Sequence, residues 1–187
     1  CGYSFCKPHS ASYVQVSFQS AYLKAHFPAA FMAAVLSNYG GYYSTQAYIS
    51  ESQRMGLKVI PPDVNLSECR YYSRGDSIIV GLCQIKGLSI EIQEKIVGNR
   101  GENGLFTGME ELLFRTGIKE SDAEKLITAG ACDNLCKGIN RSQQFWQIRQ
   151  FFRSGNTGSL PGLKTLSVRQ YLINQYRTLG FLSCCHP

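Results

Sequence analysis

Leu82-Cys83-Gln84-Ile85-Lys86-Gly87-Leu88-Ser89 decides how this chain is read, because an apolar run breaks at Gly87 and a helical pattern through Ile92, Ile96 and Val97 to Arg100 follows at once. Glycine supplies the left-handed backbone that a tight turn between helices needs. The order is helix, turn, helix. After Gly101 and Gly104 it repeats: Met109 to Arg115 is helical, Thr116-Gly117-Ile118 turns, and Ser121 opens a helix carrying Ala123, Leu126 and Ile127. Glu124, three residues after Ser121, completes the pattern of a capping box. A tandem helix-hairpin-helix unit is expected over residues 82–138.

Such a hairpin brings backbone N–H groups to the N-terminus of its second helix, where the dipole favours a phosphate. Candidate DNA-binding residues are therefore Lys86, Gly87, Leu88 and Ser89 in the first turn, Lys95 and Arg100 on or beyond its helix, and Lys119 in the second hairpin. Contacts of this kind grip the backbone and do not read bases. Ser89 stands where many hairpins of this type carry a second Gly, and Glu120 and Asp122 follow the second turn. The first hairpin is expected to contribute more. The same residues also fit an ordinary helical hairpin closed by a glycine cap.

The N-terminal stretch reads as three helices. Apolar residues from Tyr13 to Ala25 cover more than one stripe, which predicts a helix over Ser10 to Phe27 buried on much of its surface. Pro28 stops it and opens the next, to Ser37; a third runs from Ser44 to Met55. Leu57 to Ile60 is β-like and ends at Pro61-Pro62, and Arg70 to Ser73 with Ser77 to Leu82 flank Arg74-Gly75-Asp76 as a small β-hairpin. Helices near 140–152 and 167–179, separated by a loop containing Gly155, Gly158 and Pro161-Gly162, complete a mainly α fold. The expected organisation is three helices over 1–60, a linker with a small β element over 61–81, the tandem unit over 82–138, and basic C-terminal helices over 139–187.

Composition narrows the function. At 44% hydrophobic and 17% charged, the 187 residues are those of a folding chain, and no apolar run approaches the ~20 residues of a membrane helix. The net charge of +6 is unevenly spread: no Asp or Glu follows Asp133, while seven Lys and Arg follow Cys136. A polyanion is the simplest partner for that stretch, against the plainer reading of a solvated basic surface. Eight cysteines are too dilute for a disulfide scaffold, and only Cys6-Lys7-Pro8-His9 has a two-residue ligand gap, so no metal site is expected and the thiols read as free, cytoplasmic ones. With no secretory leader pattern and Cys1 in place of a methionine, the sequence reads as an excised fragment.

At the N-terminus, Lys7, His9, Ser10 and Tyr13 could hold a nucleoside triphosphate, with the cation, the imidazole and a helix N-terminus capped by Ser10 on the phosphates and Tyr13 against base or sugar. A capped helix with surface polar residues is the plainer alternative.

Gly2-Tyr3-Ser4-Phe5-Cys6-Lys7-Pro8-His9-Ser10-Ala11-Ser12-Tyr13 strongly resembles the fingers motif of the bacterial DNA polymerase III alpha subunit, of the C family of DNA polymerases. Tyr22 to Pro28, Phe31 to Ala34, Arg54 to Leu57, Pro61 to Asn65, Gly81 to Leu88, Leu126 to Asp133, Leu179 to Phe181 and His186-Pro187 resemble successive blocks of that family in the same order. The resemblance implies the distal fingers followed by a tandem helix-hairpin-helix region, with duplex DNA and the incoming deoxynucleotide as partners. It also implies magnesium held by palm aspartates in the parent enzyme, and contacts with the sliding clamp and other replisome subunits through the parent. The chain has no Asp-x-Asp and no acid before Glu51, so no catalytic residue is expected here and the fragment alone should be inactive and without cofactor. The adjacent Glu110 and Glu111 project about 100° apart on a helix and would bridge metals poorly. Gln147 to Phe152 superficially resembles a short clamp-binding peptide but reads better as an amphipathic core helix. Two other readings stand beside this one: a free-standing helix-hairpin-helix module of a repair protein, and a thiol enzyme using Cys6 and His9, which lacks an orienting carboxylate.

Overall fold

Pro28 cannot donate to the preceding turn and its φ suits a first helical position, so the N-terminal helical stretch divides there. In the computed structural model, which describes residues 7–38 and 41–182 (7–9 by backbone alone), α1 runs Lys7–His26 and α2 runs Pro28–Ser37. Ser44 caps α3, Thr45–Arg54, by accepting from the Ala47 N–H at 3.3 Å. The expected burial of α1 is not found. Tyr13, Val14, Val16, Phe18, Tyr22 and Leu23 are all exposed, Phe18 by 73%. Apolar residues on every side of a helix need neighbours on every side, and within the described residues α1 packs chiefly on α2. One exposed ion pair, Lys24 to Glu51 at 3.4 Å, ties it to α3.

The small β element has three strands. β1, Lys58–Ile60, β2, Tyr72–Arg74, and β3, Ser77–Ile79, form a sheet ordered β1-β3-β2. The expected hairpin pairs Tyr72 with Ile79 across a turn at Gly75, while β1 joins the other edge of β3 in parallel, Lys58 against Ser77. Gly81 then passes so close to the chain that a Cβ there would lie 2.4 Å from the Arg70 carbonyl carbon.

The tandem unit follows with two corrections. Its first helix is a single 3-10 turn, Leu82–Gln84, before Gly87 and α4, Ile90–Asn103. α5 spans Met109–Thr116 and α6 spans Glu120–Ala129, with Gly117 left-handed between them. Lys119 occupies the N-cap of α6 and no side chain caps it, so Ser121 lies inside the helix and the expected capping box does not form. The capping box is at α7, Arg141–Ser154, where Asn140 and Gln143 exchange bonds at 3.0 Å each. α8, Val168–Leu179, closes the described chain; Ser167 caps it. Gln147 and Ile148 are buried on α7, as a core helix requires. One continuous core runs from Ala29 through Ile78, Leu82, Ile96, Leu112, Leu126 and Ile148 to Phe181.

Candidate nucleic-acid interface

In the first hairpin, Leu88 is buried and its N–H returns to Ile85 O at 3.1 Å, which closes the turn on the core. Gly87 takes φ +80°, a conformation that costs an L-residue about 1–2 kcal/mol. Ser89 caps α4: its Oγ accepts from the Ile92 N–H at 3.4 Å and its carbonyl from the Gln93 N–H at 3.1 Å. Among the described residues the N–H groups of Gly87, Ser89, Ile90 and Glu91 find no protein acceptor. They open to solvent at the positive end of α4; Lys86, just before the turn glycine, and Lys95, nearly two turns beyond the cap, have exposed side chains. The N–H of Lys86 itself is taken by Thr178 O at 3.0 Å, so only its ammonium remains for an anion.

Glu91 opposes this arrangement. It is exposed in the first turn of α4, where a carboxylate stabilises the helix end and competes with a phosphate for the same dipole. In the second hairpin Lys119 is exposed at the N-cap, next to Glu120 and Asp122. Asp122 is partly neutralised: Lys125 donates to its Oδ1 at 2.8 Å and to Gly87 O, also at 2.8 Å, and so ties the second hairpin to the first. Lys125 was not among the candidate residues, although its spacing from Asp122 is that of a helical ion pair.

Arg100 leaves the candidate set. Its side chain is only 10% exposed and donates to Val64 O, Ser67 O and the Glu68 carboxylate. Arg115 is similarly used, bonding Asn99, Gly104 O and Glu111 and lying 4.5 Å over the Phe106 ring. Arg141 grips Asp133 and Thr128 O and lies 4.1 Å over Tyr171. These planar cations act as internal braces between elements, a geometry lysine cannot reproduce. Of the seven basic residues after Cys136, the other six remain exposed.

At the N-terminus, α1 already begins at Lys7, so Ser10 lies within the helix and is not its cap. Tyr13 is 63% exposed. The side chains of Lys7 and His9, like Cys1, Cys6, Cys184, Cys185 and His186, lie outside the described residues. Cys132 and Cys136 are buried, which pushes both thiols up, Cys136 to about 11. Such thiols stay protonated and unreactive. Glu110 and Glu111 diverge as expected: Glu110 accepts from Thr157 at 3.1 Å, whereas Glu111 takes the Thr107 hydroxyl and N–H and the Arg115 guanidinium. The Thr107 bonds first, then Arg115, hold its carboxyl down at about 2. Among the described residues no three His, Cys, Asp or Glu group as a metal would require, and no helix is long and apolar enough to cross a membrane.

Residues 56–144 match the family model described as helix-hairpin-helix motif, which brackets both hairpins. Over its whole length the chain is 34% identical to the DNA polymerase III subunit alpha of Buchnera aphidicola from Schizaphis graminum, covering 18% of that protein. The chain is homologous to a segment of the DNA polymerase III alpha subunit. The alpha subunit of Escherichia coli K12 is 40% identical over 72% of this chain and 12% of its own length. An error-prone DNA polymerase of Teredinibacter turnerae is 35% identical over the whole chain and 19% of its own length. The chain thus spans under a fifth of the curated relatives it matches, and its homology to the polymerase III alpha subunit includes the helices before residue 56 as well as the hairpins.

Proposed function

We propose that this chain is the part of a bacterial polymerase III alpha-type DNA polymerase that holds duplex DNA by its backbone and presents α1, as distal fingers, to the incoming deoxynucleotide. The observation that carries the reading is the first hairpin: four unpaired N–H groups at and before the start of α4, in a turn that follows the exposed Lys86. Such donors take a phosphate oxygen wherever it comes from along the duplex, so binding is indifferent to sequence. Gly87, Ser89, Lys86, Lys95 and Lys119 form the proposed DNA contact set, with Leu88 as its anchor. Lys7, His9, Ser10 and Tyr13 face the triphosphate. The chemistry belongs to palm aspartates and magnesium elsewhere in the parent; the clamp and other replisome proteins are met through the parent, in the bacterial cytoplasm.

A free-standing repair module would explain residues 56–144 but not the whole-chain homology to polymerases, which favours the first reading. Fluorescence anisotropy with labelled duplexes tests it. The chain should bind unrelated sequences equally, in the ~10⁻⁴ to 10⁻⁶ M range at physiological salt, and Lys86→Ala should weaken all of them alike while lowering the salt slope by about one contact. Sequence-selective or salt-independent binding would overturn the mode. In the intact polymerase, Lys7→Ala should raise KM for nucleotides; unchanged KM and kcat would remove Lys7 from the nucleotide site.

A further inference from the structure

The last turn of α8 is fastened to the first hairpin. Lys86 N–H donates to Thr178 O, and the Gln84 side-chain amide donates to Leu179 O. α8 packs on α6, and Thr178 and Leu179 are buried while Tyr176 and Arg177 face outward. Tyr176 and Arg177 then line, with Cys83, Gln84 and Lys86, an open cleft of about 730 Å³ that has no carboxylate in its wall. Arg177 makes no ion pair among the described residues, and neither does Lys86. Two uncompensated cations, distant in sequence, therefore share one groove with a half-exposed aromatic ring.

The end of a helix is its negative pole and would ordinarily repel a phosphate. Here three of the last four carbonyls of α8 are already engaged: Tyr176 O by the Gly180 N–H at 2.8 Å, Thr178 O by Lys86 and Leu179 O by Gln84. The repulsive pole is largely satisfied by the protein. Lys86 also belongs to both places, the mouth of the hairpin and the wall of the cleft, so the two sites are continuous.

We propose that the cleft between Lys86 and Arg177 is a second backbone-binding site for duplex DNA, in which Arg177 takes a phosphate neighbouring the one at the start of α4 and the Tyr176 ring packs on the intervening deoxyribose. The inference rests on the reading of the first hairpin as a sequence-independent DNA contact and adds α8 to that interface. Arginine suits the role because its fork bonds phosphate oxygens two at a time.

Duplex binding by the 187-residue chain and its Lys86→Ala, Arg177→Ala, Arg177→Glu and Lys86→Ala/Arg177→Ala variants, titrated at several salt concentrations, tests the site. Arg177→Ala should weaken binding about 3- to 10-fold for unrelated duplexes alike and lower the slope of log K against log salt by about 0.9. The double variant should lose about twice that slope, and Arg177→Glu should bind more weakly than Arg177→Ala. Thermal midpoints should not move, since the Arg177 side chain is exposed. If Lys86→Ala weakens binding while both Arg177 variants leave affinity and slope unchanged, the cleft is no DNA site and the hairpin reading stands alone. Weakening only in Arg177→Glu, together with a lowered thermal midpoint, assigns Arg177 a structural role and overturns the proposal. No binding by the unaltered chain at low salt overturns the hairpin reading and this one together.

Discussion

At the scale of single residues, a charge matters by where its hydrogen bonds go. Arg100, Arg115 and Arg141 count toward the +6 of the chain yet are spent on carbonyls, carboxylates and rings inside it. Glu91 does the opposite, standing exposed at the mouth of the proposed phosphate site. Glu91→Gln should raise duplex affinity about 2- to 5-fold in the same anisotropy assay, the reach of a 0.3–1 kcal/mol dipole effect; weaker or unchanged binding would mean that phosphate does not approach α4 there. Glu111 is the acid-sensitive brace. Its carboxyl is held down at about 2, from an ordinary 4.5, by Thr107 and Arg115, so the stability it contributes is full above about pH 4.5 and is lost as pH falls through about 2. Glu111→Gln should therefore have a lower thermal midpoint than the unaltered chain at neutral pH, and the gap should close between pH 4.5 and 2. A gap constant over that range would show that Glu111 titrates normally.

At the scale of elements, turns were more legible than the faces of helices. Gly87 and Gly117 marked both hairpins because only glycine takes their left-handed backbone cheaply, and both glycines have positive φ in the fold. The apolar spread of α1 announced a helix but could not say that its apolar side chains stay exposed among the described residues, because periodicity reports what a side chain wants and not what is beside it. Nor could it foresee that the first helix of the first hairpin shrinks to one 3-10 turn, which tertiary bonds from Leu82 N–H to Glu68 O and Cys83 N–H to Cys69 O decide. The same crossing makes Gly81 irreplaceable. A Cβ at Gly81 would meet backbone of Arg70 and Tyr71 at 2.4 to 2.8 Å, and backbone cannot swing aside. Gly81→Ala should destabilise the chain by about 1–3 kcal/mol, lowering the thermal midpoint by about 2–4 °C for each of those kcal/mol. An unchanged midpoint would mean that the 68–71 segment relaxes freely.

At the scale of the whole molecule, the ordered blocks of sequence from the fingers motif to Phe181 already pointed to the polymerase III alpha family, and the whole-chain homology agrees. What the sequence could not supply was the way distant pieces meet. The basic C-terminal helices were legible as helices but not by what they pack on; in the fold α8 packs on α6 and bonds the first hairpin through its last turn, and Lys125 ties the two hairpins through a carbonyl that no spacing rule would select. These are long-range contacts, set by packing of the shared core after the local elements exist.

The docking of α8 also sets an order in time. Gln84 and Leu179, which bond across the hairpin, are 95 residues apart, and Gln46 waits 136 residues for the Leu182 N–H. At a synthesis rate of about 5–20 residues per second, the turn at Gly87 leaves the ribosome on the order of 5 to 20 s before the segment that buttresses it. Until then the Lys86 N–H and the Gln84 amide lack their α8 acceptors, and the long loop between them is not yet closed. The first hairpin is therefore complete only once the chain has been made as far as Leu179, long after its own turn at Gly87.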